Sequence, residues 1–240
     1  MTTPAPTLSP TLMQKIFGRN YKFNKKDWIV LLAITLFYII YTVRSWYGYE
    51  ILLLPKEDCS SCNYWYWTIT KLLWIPFTLA IAYFYFGKAY LHKLGFSKLD
   101  KKMFWWLLLS IALLTLWLVQ GFWGQFEIFL NFKFPYSNIY GWGSDIIIIA
   151  FGEELLFRGF LLAWLEEKFN LGLAILLSSV LFSLVHYCWW VFVGLADFDS
   201  GFNVFLFGIL LGIIKHYSKN IFNCTFIHFL NNFILRGLGF

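Results

Sequence analysis

The chain has 240 residues, of which 60% are hydrophobic and only 13% are charged, and its mean hydropathy is +0.64. A soluble domain of this size does not need so much apolar surface, whereas a helix needs about 20 apolar residues to cross a bilayer. The composition therefore excludes an ordinary soluble domain and predicts an all-α polytopic membrane protein. The net charge of +6 comes from Lys and Arg beside the predicted spans, which favours contact with anionic lipid and not with nucleic acid.

Residues 1–27 are rich in Thr and Pro and then basic, and we predict a cytoplasmic segment because positive charge collects on the inner side of a span. The rest of the chain, 28–240, is predicted to be a single transmembrane domain. Its first apolar run covers about residues 28–46. No small-residue cleavage site follows this run, so we interpret it as a retained span and not as a signal peptide.

Two more spans are predicted at about residues 65–87 and 104–121, and the first of them contains Lys71. Between them, residues 88–102 form the most basic linker, which the positive-inside rule again places in the cytoplasm. Residues 122–143 are rich in aromatic side chains and interrupted by Gly and Pro. We therefore expect this segment to lie along the opposite membrane interface as an aromatic belt, or alternatively to cover the mouth of a cavity as a substrate lid.

Two cysteines, Cys59 and Cys62, fall in a short polar loop after the first predicted span. They could form a local disulfide if the loop faces an oxidising compartment, or they could stay as two free thiols. No second pair of ligands lies nearby, so the loop does not predict a zinc site.

Four further spans follow, which gives about seven in all. Gly208 and Gly212 lie four residues apart in the sixth span, and we interpret them as a face that lets helices approach closely. The four spans are predicted at about residues 145–165, 171–189, 202–217 and 221–235.

The fourth predicted span contains three charged residues, Glu153, Glu154 and Arg158. A charge near the centre of a bilayer costs roughly 2.5–3.5 kcal/mol on insertion scales, so each one needs a partner or a function. Glu154 and Arg158 are four residues apart and can pair on one helical face. Glu153 lies about 100° around the helix from Glu154, so Arg158 is less well placed for it and Glu153 has no evident partner on this helix.

Further polar side chains fall in the fifth and seventh predicted spans. His186 shares a helical face with Phe182, and His228 shares one with Asn232. Asn231 points in another direction and is a weaker candidate. Buried polar groups of membrane proteins face the bundle interior or a wet cavity, so we expect three spans to direct these side chains into one intramembrane polar cavity.

A carboxylate and a histidine around one water molecule can hydrolyse an amide. A buried Glu takes a proton from the water and later passes it to the leaving amine. His and Asn side chains can donate hydrogen bonds to the oxyanion that forms when water attacks a carbonyl. The serines of the fifth span lack the context of a nucleophile elbow, and Cys188 and Cys224 have no clear base, so neither residue type is favoured as a nucleophile.

Three ordered motifs therefore lie on successive predicted membrane helices: Glu153-Glu154-x-x-x-Arg158, Phe182-x-x-x-His186 and His228-x-x-x-Asn232. They resemble the motifs of the CPBP family of intramembrane proteases. This family comprises the type II CAAX prenyl endopeptidases and bacterial relatives linked to bacteriocin processing and self-immunity. The resemblance covers a catalytic core at about residues 145–236, and it implies a helical bundle whose cavity admits a membrane-bound peptide or protein substrate.

The resemblance also implies a role for each residue. Glu153 and His186 would activate the water, and His228 and Asn232 would stabilise the oxyanion. Structural support would come from Glu154, Arg158 and Phe182. A metal-independent, glutamic-type mechanism without a cofactor is favoured, because the His-Glu-x-x-His spacing of many zinc proteases is missing. Zn²⁺ held by the His and Glu side chains stays open as the alternative.

The leading hypothesis is thus an intramembrane endopeptidase whose partners are a membrane-bound substrate and the lipid bilayer. One alternative is a non-catalytic membrane protein, such as a bacteriocin self-immunity factor, that retains the motif as a scaffold. Another is a proton-coupled transporter, although no repeated pair of broken helices supports it. The short loops favour a prokaryotic plasma membrane protein with a cytoplasmic amino terminus.

Overall fold

The computed structural model describes residues 22–47, 68–69, 71–98, 101–122, 127–135, 143–193 and 196–239. Within these ranges every regular element is a helix and no β-strand occurs, which confirms the predicted all-α class. Residues 1–21, the pair Cys59 and Cys62, and half of the aromatic segment 122–143 lie outside the described residues. The expectations for these segments stay predictions.

The helices occur close to the predicted spans. The sixth in chain order covers residues 144–166 without a break and combines π-helical segments, Ser144–Ala150 and Leu155–Leu161, with α-helical ones, Phe151–Glu154 and Leu162–Glu166. The elements are α1 (Lys25–Trp46), α2 (Trp74–Phe86), α3 (Tyr90–Leu94), α4 (Lys101–Gly121), α5 (Glu127–Leu130), α6 (residues 144–166), α7 (Leu171–Val193), α8 (Phe198–Ser218) and α9 (Ile221–Gly237).

Within the described ranges, four helices are long and apolar enough to cross a membrane by themselves: α1, α4, α7 and α8. The helix α2 has 13 residues and α9 has 17, so both are shorter than about 20 residues. The helix α6 is long enough, but it contains the charged residues. Four candidate spans are consistent with the predicted seven without confirming that number.

Side-chain caps fix where several helices begin. Asn24 and Asp27 form a reciprocal capping box at the start of α1, in which Asn24 Oδ1 accepts from the Asp27 amide at 3.1 Å. The helix therefore starts at Lys25, within the segment predicted as an amino-terminal extension. Asp197 caps α8 by accepting from the Ser200 amide at 2.8 Å, and hydrogen bonds from Ser200 hold the pKa of Asp197 below its usual value.

A fully buried carboxylate, Asp27, connects α1, α2 and α6. Its Oδ1 accepts hydrogen bonds from the Tyr85 hydroxyl at 2.8 Å and from the Trp164 indole at 3.0 Å. Its Oδ2 pairs with Lys168 Nζ at 2.8 Å and accepts from the Asn24 amide at 2.7 Å. Every oxygen of this buried anion thus has partners, and the cluster holds three helices together at the end where α1 begins and α6 ends.

Small side chains let α8 pack closely on α7. A Cβ atom added at Gly208 would lie 3.1 Å from Ser179 Cβ, and one added at Gly212 would lie 3.0 Å from Ile175 Cγ2. This confirms the interpretation of the two glycines as a packing face. The neighbouring Ser178 donates its hydroxyl to the Phe157 carbonyl oxygen at 2.9 Å, so it connects α7 to α6 and does not face a cavity as a nucleophile.

Candidate active site

The helix α6 carries two adjacent glutamates into the interior. Glu153 is 1% exposed and Glu154 is fully buried, and both lie in the α-helical turn between the two π-helical segments. Successive residues of a helix point about 100° apart, so the two carboxylates meet different neighbours. The two adjacent glutamates therefore occupy chemically distinct environments.

Glu154 is the centre of a buried polar cluster that joins four helices. Its Oε1 accepts from Arg158 Nη1 at 3.2 Å and from His228 Nδ1 at 2.8 Å. Arg158 also donates Nη2 to the Gly208 carbonyl oxygen at 3.2 Å, and its guanidinium lies 4.0 Å from the ring centroid of Phe182. The predicted pairing of Glu154 with Arg158 is therefore confirmed, and these contacts connect α6 with α7, α8 and α9.

Glu153 faces a different set of groups. Its Oε1 contacts the ammonium group of Lys71, three residues before α2. Its Oε2 lies 3.6 Å from His186 Nε2 and 3.9 Å from His228 Nε2. Both separations are too long for a direct hydrogen bond, so this oxygen points at two imidazole nitrogens without bonding to either. Three of the predicted catalytic side chains thus converge on one point from α6, α7 and α9.

Hydrogen bonds to the other ring nitrogens define the tautomers of both histidines. His186 Nδ1 lies 2.9 Å from the Phe182 carbonyl oxygen, which can only accept, so Nδ1 carries the hydrogen. In neutral His186 the lone pair of Nε2 therefore faces Glu153. His228 Nδ1 lies 2.8 Å from Glu154 Oε1, and when Nδ1 donates to this oxygen, His228 Nε2 is a donor only if the ring is an imidazolium.

Phe182 supports the site as a central aromatic ring. Its centroid lies 4.7 Å from that of His186 and 5.8 Å from that of His228, and both contacts are T-shaped. The same ring packs on Arg158 and is 1% exposed. Its position between both imidazoles and the guanidinium agrees with the predicted supporting role.

Asn232 is less well integrated than the other predicted site residues. It lies one turn beyond His228 on α9, its side chain is half-buried, and within the described part of the chain it makes no hydrogen bond. The neighbouring Asn231 is 7% exposed, and its Oδ1 has no hydrogen-bond partner among the described residues. The structure therefore brings Glu153, His186 and His228 together and leaves the contribution of Asn232 as a prediction.

Lys71 is the site residue that sequence reasoning missed. Helical spacing paired Glu154 with Arg158 and gave Glu153 no partner. In the structure, the ammonium of Lys71 contacts Glu153 from outside α6. The ammonium also lies 5.3 Å from the Trp74 ring centroid, and its side chain is 15% exposed. A lysine in an otherwise apolar run was the available signal, since such a charge needs a buried partner.

The His and Glu side chains of the site are not well arranged to bind a metal ion. Among the described residues no group of three His, Cys, Asp or Glu side chains is placed to hold one. The ammonium of Lys71 against Glu153 would also repel a divalent cation at this carboxylate.

The fold and the buried polar cluster define an integral membrane protein with a polar site inside the bundle. Residues 135–234 match the family model described as Type II CAAX prenyl endopeptidase Rce1-like. The match includes every predicted site residue, confirms the resemblance to the CPBP family, and supports a protease function. No curated protein and no solved structure matches the chain.

Proposed function

We propose that the protein is an intramembrane endopeptidase that hydrolyses a peptide bond of a membrane-anchored or membrane-embedded substrate. The observation that carries this proposal is the convergence of Glu153 Oε2 and the lone pair of His186 Nε2 at 3.6 Å, inside the segment that matches a protease-family model. Two acceptors at this separation can share one water molecule that lies about 2.8 Å from each.

Such a water donates one hydrogen to Glu153 Oε2 and the other to His186 Nε2, so both of its lone pairs stay free and one of them can attack the substrate carbonyl carbon. As the new C–O bond forms, Glu153 takes the proton. The tetrahedral intermediate then breaks its C–N bond, and the protonated Glu153 gives its proton to the leaving amine. The contact with Lys71 favours an ionised Glu153 before the reaction, which a base requires.

The oxyanion of the tetrahedral intermediate requires hydrogen-bond donors. His228 can donate from Nε2 when it is an imidazolium, and its contact with Glu154 Oε1 at 2.8 Å fixes the orientation of the ring. The side-chain amide of Asn232, one turn further along α9, is the second proposed donor. In this mechanism Glu154 and Arg158 are positioning residues, because they act through His228.

This mechanism is glutamic and needs no metal ion, and Zn²⁺ is its alternative. The charge of Lys71 beside Glu153 supports the metal-free form. Preincubation with a membrane-permeant chelator distinguishes the two, since a metal-free enzyme keeps its cleavage rate. Loss of activity that added Zn²⁺ restores would show that the alternative is correct.

We place the protein in a prokaryotic plasma membrane with its amino terminus in the cytoplasm. Lysines gather at the end of the bundle where α1 begins, including Lys93, Lys168, Lys215 and Lys219. This supports the orientation, because positive charge marks the cytoplasmic side. Cysteine accessibility to a membrane-impermeant reagent at this end, in intact cells and in inverted vesicles, tests the assignment.

The proposed function is tested by comparing membrane peptides from a strain that lacks the protein with peptides from a strain in which it is restored. A peptide that stays uncut without the protein becomes the assay substrate. Purified His186→Ala should cleave it about 10²–10⁴-fold more slowly than the natural protein, because the water loses its second acceptor. The control Glu127→Gln removes an exposed carboxylate of α5 and should cleave normally. Full activity of a folded His186→Ala protein would show that the residue plays no part in hydrolysis.

A further inference from the structure

A second polar cavity lies at the end of the bundle where α6 and α8 finish. Its volume is about 460 Å³, and its walls come from α3, the loop after α3, the last turns of α6 and the end of α8. Arg158 also lines the cavity, but its guanidinium is already bound to Glu154 and Gly208. The lining residues do not include Glu153, His186 or His228, so the cavity is distinct from the proposed site of hydrolysis.

Lys215 is the unusual feature of this cavity. Its side chain is 93% buried, yet within the described ranges its ammonium group makes neither a hydrogen bond nor an ion pair. Glu166 lines the same cavity but forms no ion pair with Lys215, and its Oε1 lies 2.7 Å from His216 Nδ1. The lysine packs over Gly95, where an added Cβ would lie 2.8 Å from Nζ. A buried ammonium without a partner is unfavourable, so the position calls for an anion supplied from outside the chain.

The acidic residues of the cavity are already engaged. Glu167 pairs with Lys93 at 2.7 Å, and Glu166 Oε1 lies 2.7 Å from His216 Nδ1. Lys219 Nζ lies 3.4 Å from the same His216 Nδ1 atom. With neutral histidines the lysines outnumber the glutamates among the lining residues by one, even when the paired Arg158 is left out. Among these lining lysines, Lys93 and Lys219 are exposed to solvent, whereas Lys215 is buried and makes no ion pair with any described residue.

We propose that this cavity binds a phosphate group, carried by the headgroup of an anionic phospholipid or by free inorganic phosphate. A phosphate is compact and anionic, and several acceptor oxygens let it contact Lys215 and also Lys219 or the Ser97 hydroxyl on the opposite wall. Lys215 lies one turn before the end of the candidate span α8, which is the depth of lipid headgroups. Basic pockets between helices at a membrane surface are suited to such headgroups.

The experiment uses the full chain, purified in detergent and stripped of lipid. Thermal unfolding is followed with added phosphatidylglycerol, with phosphatidylcholine and with inorganic phosphate. At about 100 times the dissociation constant, a bound phosphate ligand should raise the Tm by about 5–10 °C. Lys215→Met should lose most of this rise, whereas Lys88→Met, which removes an exposed lysine outside the cavity, should keep it.

Each outcome decides the proposal. A Lys215-dependent rise with phosphatidylglycerol alone assigns the site to the lipid headgroup, and a Lys215-dependent rise with inorganic phosphate assigns it to the free anion. No rise with either, or an equal rise in Lys215→Met, overturns the proposal. If Lys215→Met does not fold, Lys93→Gln replaces it in the experiment. This variant removes a positive charge from the cavity wall and should reduce the rise in Tm. An unreduced rise in Lys93→Gln then overturns the proposal.

Discussion

Two buried carboxylates, Asp27 and Glu153, show how differently this protein uses intramembrane charge. Both oxygens of Asp27 are saturated by an ammonium, a hydroxyl, an indole and a backbone amide. Glu153 has Lys71 at one oxygen, while the other faces two imidazole nitrogens at distances that no direct hydrogen bond spans. A saturated carboxylate can only hold helices together, whereas one with free accepting capacity can also bind and deprotonate a water molecule.

The largest stability effect is expected at Asp27. Asp27→Ala should lower the free energy of unfolding by about 3–5 kcal/mol, because it leaves Lys168 buried without its partner. Thermal unfolding in detergent measures this change. Molecules that still fold should cleave at the natural rate, since Asp27 is not part of the proposed site. A lower cleavage rate per folded molecule would contradict the claim that Asp27 is structural while Glu153 is catalytic.

Substitution of Glu154 is expected to cause a smaller loss of stability together with a loss of cleavage rate. Glu154→Gln should cost about 1.5–3 kcal/mol of stability, because the charge-assisted hydrogen bonds from Arg158 and His228 are weakened. The cleavage rate should also fall, since His228 Nδ1 loses the carboxylate that orients its ring towards the oxyanion. A split between kcat and KM distinguishes this positioning role from a purely structural one: kcat should fall while KM stays unchanged. An unchanged kcat in a folded variant would contradict the proposed role.

Gly208 tests the packing that carries the site. Gly208→Ala should destabilise the protein by about 1–3 kcal/mol, because the new methyl group would lie 3.1 Å from Ser179 and 3.2 Å from Arg158 Nη2. The matched control is Gly172→Ala at the start of α7, whose closest neighbour would be 3.6 Å away. Equal thermal stability of the two variants would show that α7 and α8 are not closely packed at Gly208.

The smallest effect is expected at Lys71. Lys71→Met should slow cleavage by about tenfold, equivalent to about 1.4 kcal/mol, because Glu153 loses the charge that favours its ionised form. Lys71→Arg should restore most of the rate, because it returns a positive charge to the position beside Glu153. If the methionine and arginine variants are equally slow, Lys71 acts by packing alone.

Sequence patterns predicted the helical class, most helix positions, the Glu154–Arg158 pair and the convergence of three spans, because charges are rare in apolar runs and helical spacing fixes their faces. They did not predict the Asp27 cluster, whose partners Tyr85, Trp164 and Lys168 are distant from Asp27 in the sequence. They also did not assign Lys71 to Glu153, since that contact depends on how α2 packs against α6. Long-range packing, unlike helical periodicity, has no local signal in a single sequence.

The central claim is that Glu153 takes the proton from the attacking water. Its most direct test is the cleavage rate of Glu153→Gln, measured on a preparation whose Tm matches that of the natural protein. Gln has the same shape but cannot accept the proton, so we predict a rate at least about 10²-fold lower. Cleavage at the natural rate by this folded variant would contradict the account.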